Sequence, residues 1–193
     1  LVKCVSATGN WKMHLSFLAP ITSLNLSDTS SLISTASVFN SMATLNSTVF
    51  SVGTEGDTNS SNVNYIAYCF AEKQGFSKFG SYTGNGNADG TFVYLGFKPA
   101  FTLFKKTNAT SEWFLYDNKR LGYNVTEKVF EANTTSAEDS NSGTYIDYLS
   151  NGFKLRGTSG NTNTSGSTYI YLAFAENPFV TSTANGSIPT TAR

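Results

Sequence analysis

Tyr169-Ile170-Tyr171-Leu172-Ala173-Phe174-Ala175-Glu176 lies near the end of the chain, and Tyr65-Ile66-Ala67-Tyr68-Cys69-Phe70-Ala71-Glu72 lies near its middle. The two stretches share Tyr, Ile, Phe, Ala and Glu at an offset of 104 residues. Successive side chains of a β-strand point to opposite faces, and both faces of residues 169–175 are apolar. The sequence therefore predicts a central strand buried on both sides, with residues 65–71 as its twin.

Further pairs of segments repeat in the same order along the chain. At offsets of 102 and 103, the matches are Leu1-Val2-Lys3 with Leu103-Phe104-Lys105, Trp11 with Trp113, and Phe50-Ser51-Val52 with Phe153-Lys154-Leu155. This period is about one domain length, whereas the repeats of a solenoid span roughly 20–50 residues. The pattern therefore indicates two similar domains in tandem.

The repeat predicts a first domain over residues 1–79, a second over residues 80–180 and a C-terminal tail over residues 181–193. Residues 90–99 of the second copy have no counterpart in the first. We therefore expect the first domain to be incomplete at its N-terminus and the chain to be a fragment of a longer polypeptide.

Strand signals dominate the second copy. β-Branched and aromatic runs separated by Asn, Gly, Ser and Thr clusters occur at residues 91–95, 100–105, 112–116, 143–149, 152–155 and 168–175. Asn151-Gly152 between two runs predicts a hairpin, and residues 124–132 are the best short helical candidate. The predicted fold is all-β, with two tandem jelly-roll-like β-sandwiches. The core predicted for the second copy is Phe92, Tyr94, Phe101, Leu103, Trp113, Leu115, Ile146, Leu149, Phe153, Leu155, Ile170, Leu172 and Phe174.

Composition excludes several classes of protein. The 193 residues contain 13 Lys and Arg against 13 Asp and Glu, so a basic nucleic-acid binder is disfavoured. The sequence has no run of 18 apolar residues that would predict a membrane span. The two cysteines, Cys4 and Cys69, fit core-lining or free thiols, with a disulfide or a nucleophile as alternatives.

Catalytic and metal-binding patterns are weak. The single histidine, His14, aligns with Tyr116 of the second copy, which favours an ordinary strand residue. Candidate carboxylates for glycoside hydrolysis show no paired arrangement, so we predict no enzymatic activity. Asn85, Asn87 and Asp89 resemble the first half of a calcium loop, but Gly96 stands where the closing Glu would be. A plain glycine-rich loop and a weak calcium site both fit this segment, and no other cofactor is predicted.

Aromatic side chains are candidate sugar-binding groups, because a ring face can stack on the C–H face of a pyranose. Trp113, Tyr116 and Tyr123, with Arg120 beside them, are the candidate binding residues. The match between Trp11 and Trp113 favours a core role for Trp113 over a sugar platform. Tyr123 and Arg120 are the first choices for a contact at the rim of a site.

Four segments resemble a repeated β domain of tail-fibre-like virion structural proteins of tailed bacteriophages, marine and cyanobacterial ones included. They are residues 75–86, 92–101, 149–156 and 169–176. The resemblance implies a non-enzymatic structural protein in the virion, in a tail fibre or another surface appendage. A host-adhesion module that binds surface glycans and a capsid decoration protein are the alternatives. The expected partners are further copies of the chain, with a trimer favoured, and other virion proteins.

Overall fold

The computed structural model describes residues 1–40, 46, 48–121, 123–139, 143–178, 180–183 and 186–189. The fold is all-β, as predicted, with antiparallel sheets and two four-residue helices among these residues. The chain divides into two compact units, Leu1–Phe70 and Ala71–Arg193.

The first unit is built on one antiparallel sheet with the strand order β4-β3-β2-β1-β5. Its elements are β1 (Val2–Cys4), β2 (Trp11–Met13), β3 (Thr22–Asn25), β4 (Ile33–Ser34), α1 (Ala36–Phe39), α2 (Gly56–Asn59) and β5 (Tyr65–Ala67). Val2, Val38 and Phe39 form a small core, against which Phe50 and Tyr65 pack. The helix α1 begins after Thr35, whose hydroxyl caps it by accepting a hydrogen bond from the Ser37 N–H.

The second unit contains two antiparallel sheets, with the strand orders β10-β9-β8-β13-β6 and β11-β12-β7. Its strands are β6 (Ser77–Thr83), β7 (Phe92–Tyr94), β8 (Pro99–Lys106), β9 (Trp113–Asp117), β10 (Phe130–Glu131), β11 (Ile146–Leu149), β12 (Gly152–Leu155) and β13 (Thr168–Ala175). The chain crosses from the five-stranded sheet to the three-stranded sheet at β7 and returns at β8. It crosses again at β11 and returns to the five-stranded sheet at β13. This alternation gives the unit a jelly-roll-like course.

Aromatic rings from both sheets meet in the core of the second unit. Phe153 of the three-stranded sheet lies with its ring centroid 5.0 Å from Phe104 and 5.5 Å from Tyr171, both on the five-stranded sheet. Tyr82 and Tyr169 stack at 5.1 Å. Because the two sheets face each other across this core, the unit is a β-sandwich.

The strand β13 is buried on both sides, which confirms the prediction from its sequence. Its predicted twin is shorter, because β5 covers only Tyr65–Ala67 of residues 65–71 and stands at the end of its sheet's strand order. Tyr169 and Tyr171 face the sandwich core, whereas Ile170 and Leu172 lie buried on the opposite face. The strands predicted at residues 152–155 and 168–175 have the predicted bounds. The predicted hairpin also forms, with Leu149 paired to Gly152.

The two units share a sheet pattern that the sequence repeat anticipates. In the first unit β1 lies between β2 and β5, and in the second β8 lies between β9 and β13. Lys3 pairs with Trp11 and Ile66, and Lys105, 102 residues later, pairs with Trp113 and Ile170. The aligned residues therefore occupy the same register positions in both sheets.

Several sequence-based predictions need correction. Residues 124–132 form no helix, since Thr126 bridges to Ile146 and Phe130–Glu131 is strand β10. Residues 79 and 80 lie inside β6, which pairs with β13, and the compact units divide nine residues earlier, at Phe70. In β7, Val93 faces the core while the predicted core residues Phe92 and Tyr94 are exposed. That strand is therefore one residue out of the predicted phase. The same shift applies to β8, β9 and β13, where the sandwich core contains Phe104, Phe114 and Tyr171 rather than the predicted Leu103, Trp113 and Ile170.

The predicted tail contains a hairpin of β14 (Val180–Thr183) and β15 (Gly186–Pro189). The other positions of the predicted tail, residues 184, 185 and 190–193, lie outside the described residues.

Candidate functional site

Two of the predicted sugar-contacting rings lie in the protein interior. Trp113 and Tyr116, both on β9, have 0% of their surface exposed. The Tyr116 hydroxyl donates a hydrogen bond to the Thr144 carbonyl, and burial raises the pKa of Tyr116 far above its usual value. Neither ring can stack on a sugar from solvent, so this part of the prediction is corrected. The core role for Trp113, suggested by its match with Trp11, is the one that the structure gives it.

The other two predicted binding residues, Arg120 and Tyr123, differ in whether their side chains are free to contact a ligand. Arg120 is held by carboxylates, with its Nε 2.7 Å from Asp117 and its Nη1 2.6 Å from Glu138. Its guanidinium carbon lies 3.8 Å from the ring centroid of Phe130. The hydrogen bond from Arg120 lowers the pKa of Glu138. Tyr123, by contrast, is 72% exposed, so it is the one ring of the predicted set that faces solvent.

The predicted calcium loop is organised by hydrogen bonds within the protein. Asn85 Oδ1 accepts from the N–H of Asn87 at 3.0 Å, and Asn87 Oδ1 accepts from the N–H of Asp89 at 2.9 Å. The buried amide of Asn163 donates to Asn85 Oδ1, to the Asn87 carbonyl and to the Gly157 carbonyl. The side-chain oxygens of Asn85 and Asn87 therefore face donors rather than a cation.

Asp89, the third predicted ligand, pairs with cationic side chains. Its Oδ1 lies 2.5 Å from Lys154 Nζ and 3.9 Å from Arg156 Nη1. The hydrogen bond from Lys154 lowers the pKa of Asp89. Among the residues that the structure describes, no group of three or more His, Cys, Asp or Glu side chains could hold a metal ion. The loop is thus a hydrogen-bonded turn in this structure, and the weak calcium site stays a prediction.

Among the remaining residues considered for catalysis, His14 and Glu176 have structural partners and the two cysteines are unpaired. His14 Nδ1 lies 2.8 Å from the Thr22 carbonyl, and burial lowers the pKa of His14. Cys4 is a buried free thiol and Cys69 an exposed one. Glu176, at the end of β13, forms an ion pair with Lys98 at 2.8 Å. The prediction that the chain is not an enzyme stays a prediction.

An exposed aromatic pair lies on the outer face of the three-stranded sheet. Phe92 and Tyr94, two residues apart on β7, are 44% and 60% exposed. Lys78 Nζ lies 5.4 Å from the Tyr94 ring centroid and donates to the Tyr94 carbonyl at 3.0 Å. Lys154, on the neighbouring strand, is the register partner of Phe92. We call Phe92, Tyr94, Lys78 and Lys154 the β7 platform.

The sequence predicts a core position for these two rings because both faces of the β7 segment contain apolar residues. Thr91-Phe92-Val93-Tyr94-Leu95 alternates large and β-branched side chains without a polar face. The signal that could have set the phase is the pairing with β12, where Phe153 lies opposite Val93. Both of those side chains are buried in the core.

The fold and these surfaces define an all-β protein of two units with related five-stranded sheets, and its clearest exposed feature in the second unit is an aromatic platform. Residues 1–178 match one family model, described as a domain of unknown function (DUF7483), and the chain belongs to this family. No curated protein matches the chain, and no solved structure matches it either. Within the described residues, no helix is long and apolar enough to cross a membrane.

Proposed function

We propose that the chain is a non-enzymatic structural module of a bacteriophage virion, part of a tail fibre or another surface appendage, and that it assembles as a homo-oligomer. The observation that carries the proposal is the repeated register, in which Lys3 and Lys105 each pair with a Trp on one side and an Ile on the other. Duplicated sheets with one register suit a protein that extends by adding similar modules. The resemblance of residues 75–86 and 92–101 to phage virion proteins supports the same function.

Virus particles purified from the source of the sequence test this proposal. Peptides of the chain should appear in the mass spectrum of the particles, and cryo-electron microscopy should place its side chains in a tail or fibre. The density also gives the number of copies around the axis, for which three is favoured. Density on the head lattice would identify a decoration protein instead, and absence from the particles would overturn the virion proposal.

The β7 platform favours a second candidate function, adhesion to host surface glycans. Residues two apart on a strand are about 6.6–6.8 Å apart, so Phe92 and Tyr94 can present neighbouring rings to a chain of sugars. Lys78 and Lys154 supply hydrogen-bond donors beside the rings. The β7 platform, rather than the region around Trp113, is therefore the candidate glycan-binding site.

Binding of the full chain to host polysaccharide, measured by calorimetry, tests the second candidate. We expect saturable binding that weakens about tenfold, or 1.4 kcal/mol, in Phe92→Ala and in Tyr94→Ala. Phe17→Ala is the matched control, because Phe17 is an exposed ring outside the platform and is not a candidate binding residue. Equal loss in all three variants, or no binding by the unmodified chain, would reject the platform as a glycan site.

A further inference from the structure

Lys12 is a buried lysine that lies between two carboxylates of the first unit. Its side chain on β2 is 5% exposed, and its Nζ lies 2.8 Å from Glu55 Oε1 and 3.4 Å from Asp57 Oδ2. Both carboxylates belong to the segment that forms the start of α2, and this helix packs against β1 and β2. An amine and two carboxyl groups therefore meet at a place with little exposure to solvent.

The register of the sheet explains why Lys12 faces inward. Lys12 is the register partner of Val2 on β1 and of Asn25 on β3. Residues directly opposite each other in an antiparallel pair lie on the same face of the sheet. Val2 packs with Val38 and Phe39 of α1 in the small core. Lys12 therefore lies on the face of the sheet that the core residues cover.

The second unit shows that this position does not require a charge. Phe114, 102 residues later, is the counterpart of Lys12, and it lies in the sandwich core with 1% of its surface exposed. A buried ion pair often stabilises a fold no better than apolar packing does, because both ions lose their hydration. The stability of the sheet alone therefore does not account for the lysine and its two carboxylates.

Backbone contacts hold both carboxylates beside the amine. The N–H of Glu55 donates to the Ser37 carbonyl at 3.0 Å, and the Glu55 carbonyl accepts from the N–H of Thr58 at the same distance. Asp57 lies so close to Gly9 that a Cβ added at Gly9 would come within 2.6 Å of Asp57 Oδ1. Side chains held in contact in this way gain most from an intramolecular reaction, because the entropy of bringing them together is already lost on folding.

We propose that Lys12 and Asp57 form an intramolecular isopeptide bond, with Glu55 as the catalytic residue that transfers the protons. Lys12 Nζ gives one proton to Glu55 and attacks Asp57 Cγ. A bond forms between Nζ and Cγ, and one C–O bond of the Asp57 carboxylate breaks. The released oxygen leaves as water with two of the three ammonium protons, and the third stays on the amide nitrogen. The reaction needs no oxidant, reductant or further reactant.

The bond would join β2 to α2 covalently. Cross-links between distant parts of a chain stabilise the folded state, because they restrict the unfolded chain. This inference assigns a self-modification to the first unit and goes beyond the proposed structural role. It does not depend on where the protein is located, so its test is separate from the search for the chain in virus particles.

The intact mass of the full chain, purified and incubated in its folded state, tests the proposal. Formation of the amide removes one water, so we expect the mass of most molecules to be lower than that of the sequence by one water. Reaction of Lys12 with the amide of Asn25 would remove ammonia instead and would overturn the choice of Asp57. A mass equal to that of the sequence would overturn the proposal as a whole.

Digestion locates the bond. Glu55 and Glu72 are the only glutamates among the first 72 residues, so a protease that cleaves after glutamate separates residues 1–55 from residues 56–72. The bond should hold these two peptides together, and their fragment masses should place it at Lys12 and Asp57. A water lost within residues 56–72 alone would identify a cyclic imide of the aspartate and overturn the cross-link.

Two variants test the roles of the lysine and of the proton carrier. Lys12→Arg keeps the positive charge between the carboxylates and removes the amine, so its mass should equal that of its sequence. Glu55→Gln keeps the size of the side chain and removes the proton acceptor, so we expect the bond to form about a hundredfold more slowly. Glu127→Gln, in the second unit, is the matched control and should link at the original rate. Loss of water in Lys12→Arg would overturn the role of Lys12, and an unchanged rate in Glu55→Gln would overturn that of Glu55.

Discussion

Lys3 and Lys105, 102 residues apart, make the same contact in their two sheets. Each ammonium donates a hydrogen bond to the backbone carbonyl six residues later, of Gly9 for Lys3 and of Ser111 for Lys105. In both cases that carbonyl lies in the segment leading to the paired strand that carries a Trp. The lysine thus joins the two strands of a hairpin, and this hydrogen bond is repeated in both units.

The two lysines should differ in their contribution to stability, because Lys105 is fully buried and Lys3 is half-buried. Lys105→Ala leaves the Ser111 carbonyl without this donor and opens space beside Trp113, so we expect a loss of about 2–3 kcal/mol. Lys3→Ala should cost under about 1 kcal/mol. Urea unfolding followed by tryptophan fluorescence measures both. Equal losses would show that the burial of Lys105 adds nothing to the shared contact.

The hairpin and the central strand could be predicted because each depends on a short-range pattern. Leu149 and Gly152 flank a two-residue turn, and residues 169–175 are apolar on both faces. Such patterns are visible within eight residues of sequence. They give the all-β class without any knowledge of long-range pairing.

The phase of β7 and the site residues could not be predicted in the same way. Phe92, Val93 and Tyr94 are all apolar, so the packing of β12 decides which of them faces inward. The burial of Tyr116 becomes visible only when the sheet on which it lies is assembled, whereas the match with Trp11 already favours a core role for Trp113.

Substitution of Asn163 should destabilise the second unit more than substitution of most other polar residues. It is 0% exposed, its amide nitrogen donates to Asn85, Asn87 and Gly157, and its amide oxygen accepts from the N–H of Asn85 at 2.9 Å. Asn163→Ala leaves several buried groups unpaired, so we expect a loss of about 3 kcal/mol in the free energy of unfolding. Asn161→Ala, in the same loop, should cost under about 1 kcal/mol. A loss no larger than that of the control would show that the loop is held by other contacts.

Calcium should not stabilise the second unit. The oxygens of Asn85 and Asn87 accept backbone hydrogen bonds, and Asp89 pairs with Lys154, so a cation would have to displace all three. Thermal unfolding in millimolar calcium and in chelator should give the same midpoint. A midpoint that rises with calcium, and does so less in Asp89→Ala, would establish the loop as a metal site.

Alkaline pH should destabilise the second unit through its buried tyrosines. Burial raises the pKa of Tyr171 from 10.0 to about 12, and the charge of Glu72 contributes to the same increase. Burial also raises the pKa of Tyr82, Tyr116 and Tyr148. Each of these groups holds its proton more tightly in the folded state than in the unfolded state. Their contribution to stability is therefore complete below pH 10 and is lost as the pH rises through the folded-state values.

The Tyr171→Phe variant isolates one of these groups, because it keeps the ring that packs on Phe153 and removes the hydroxyl. Between pH 10 and about pH 12 its free energy of unfolding should fall less steeply than that of the unmodified chain. Urea unfolding across this range gives the two slopes, and phenolate absorbance of the folded chain gives the titration itself. Parallel slopes would show that Tyr171 titrates alike in the folded and unfolded chain, and a decline that is complete before pH 10 would assign the alkaline transition to other groups.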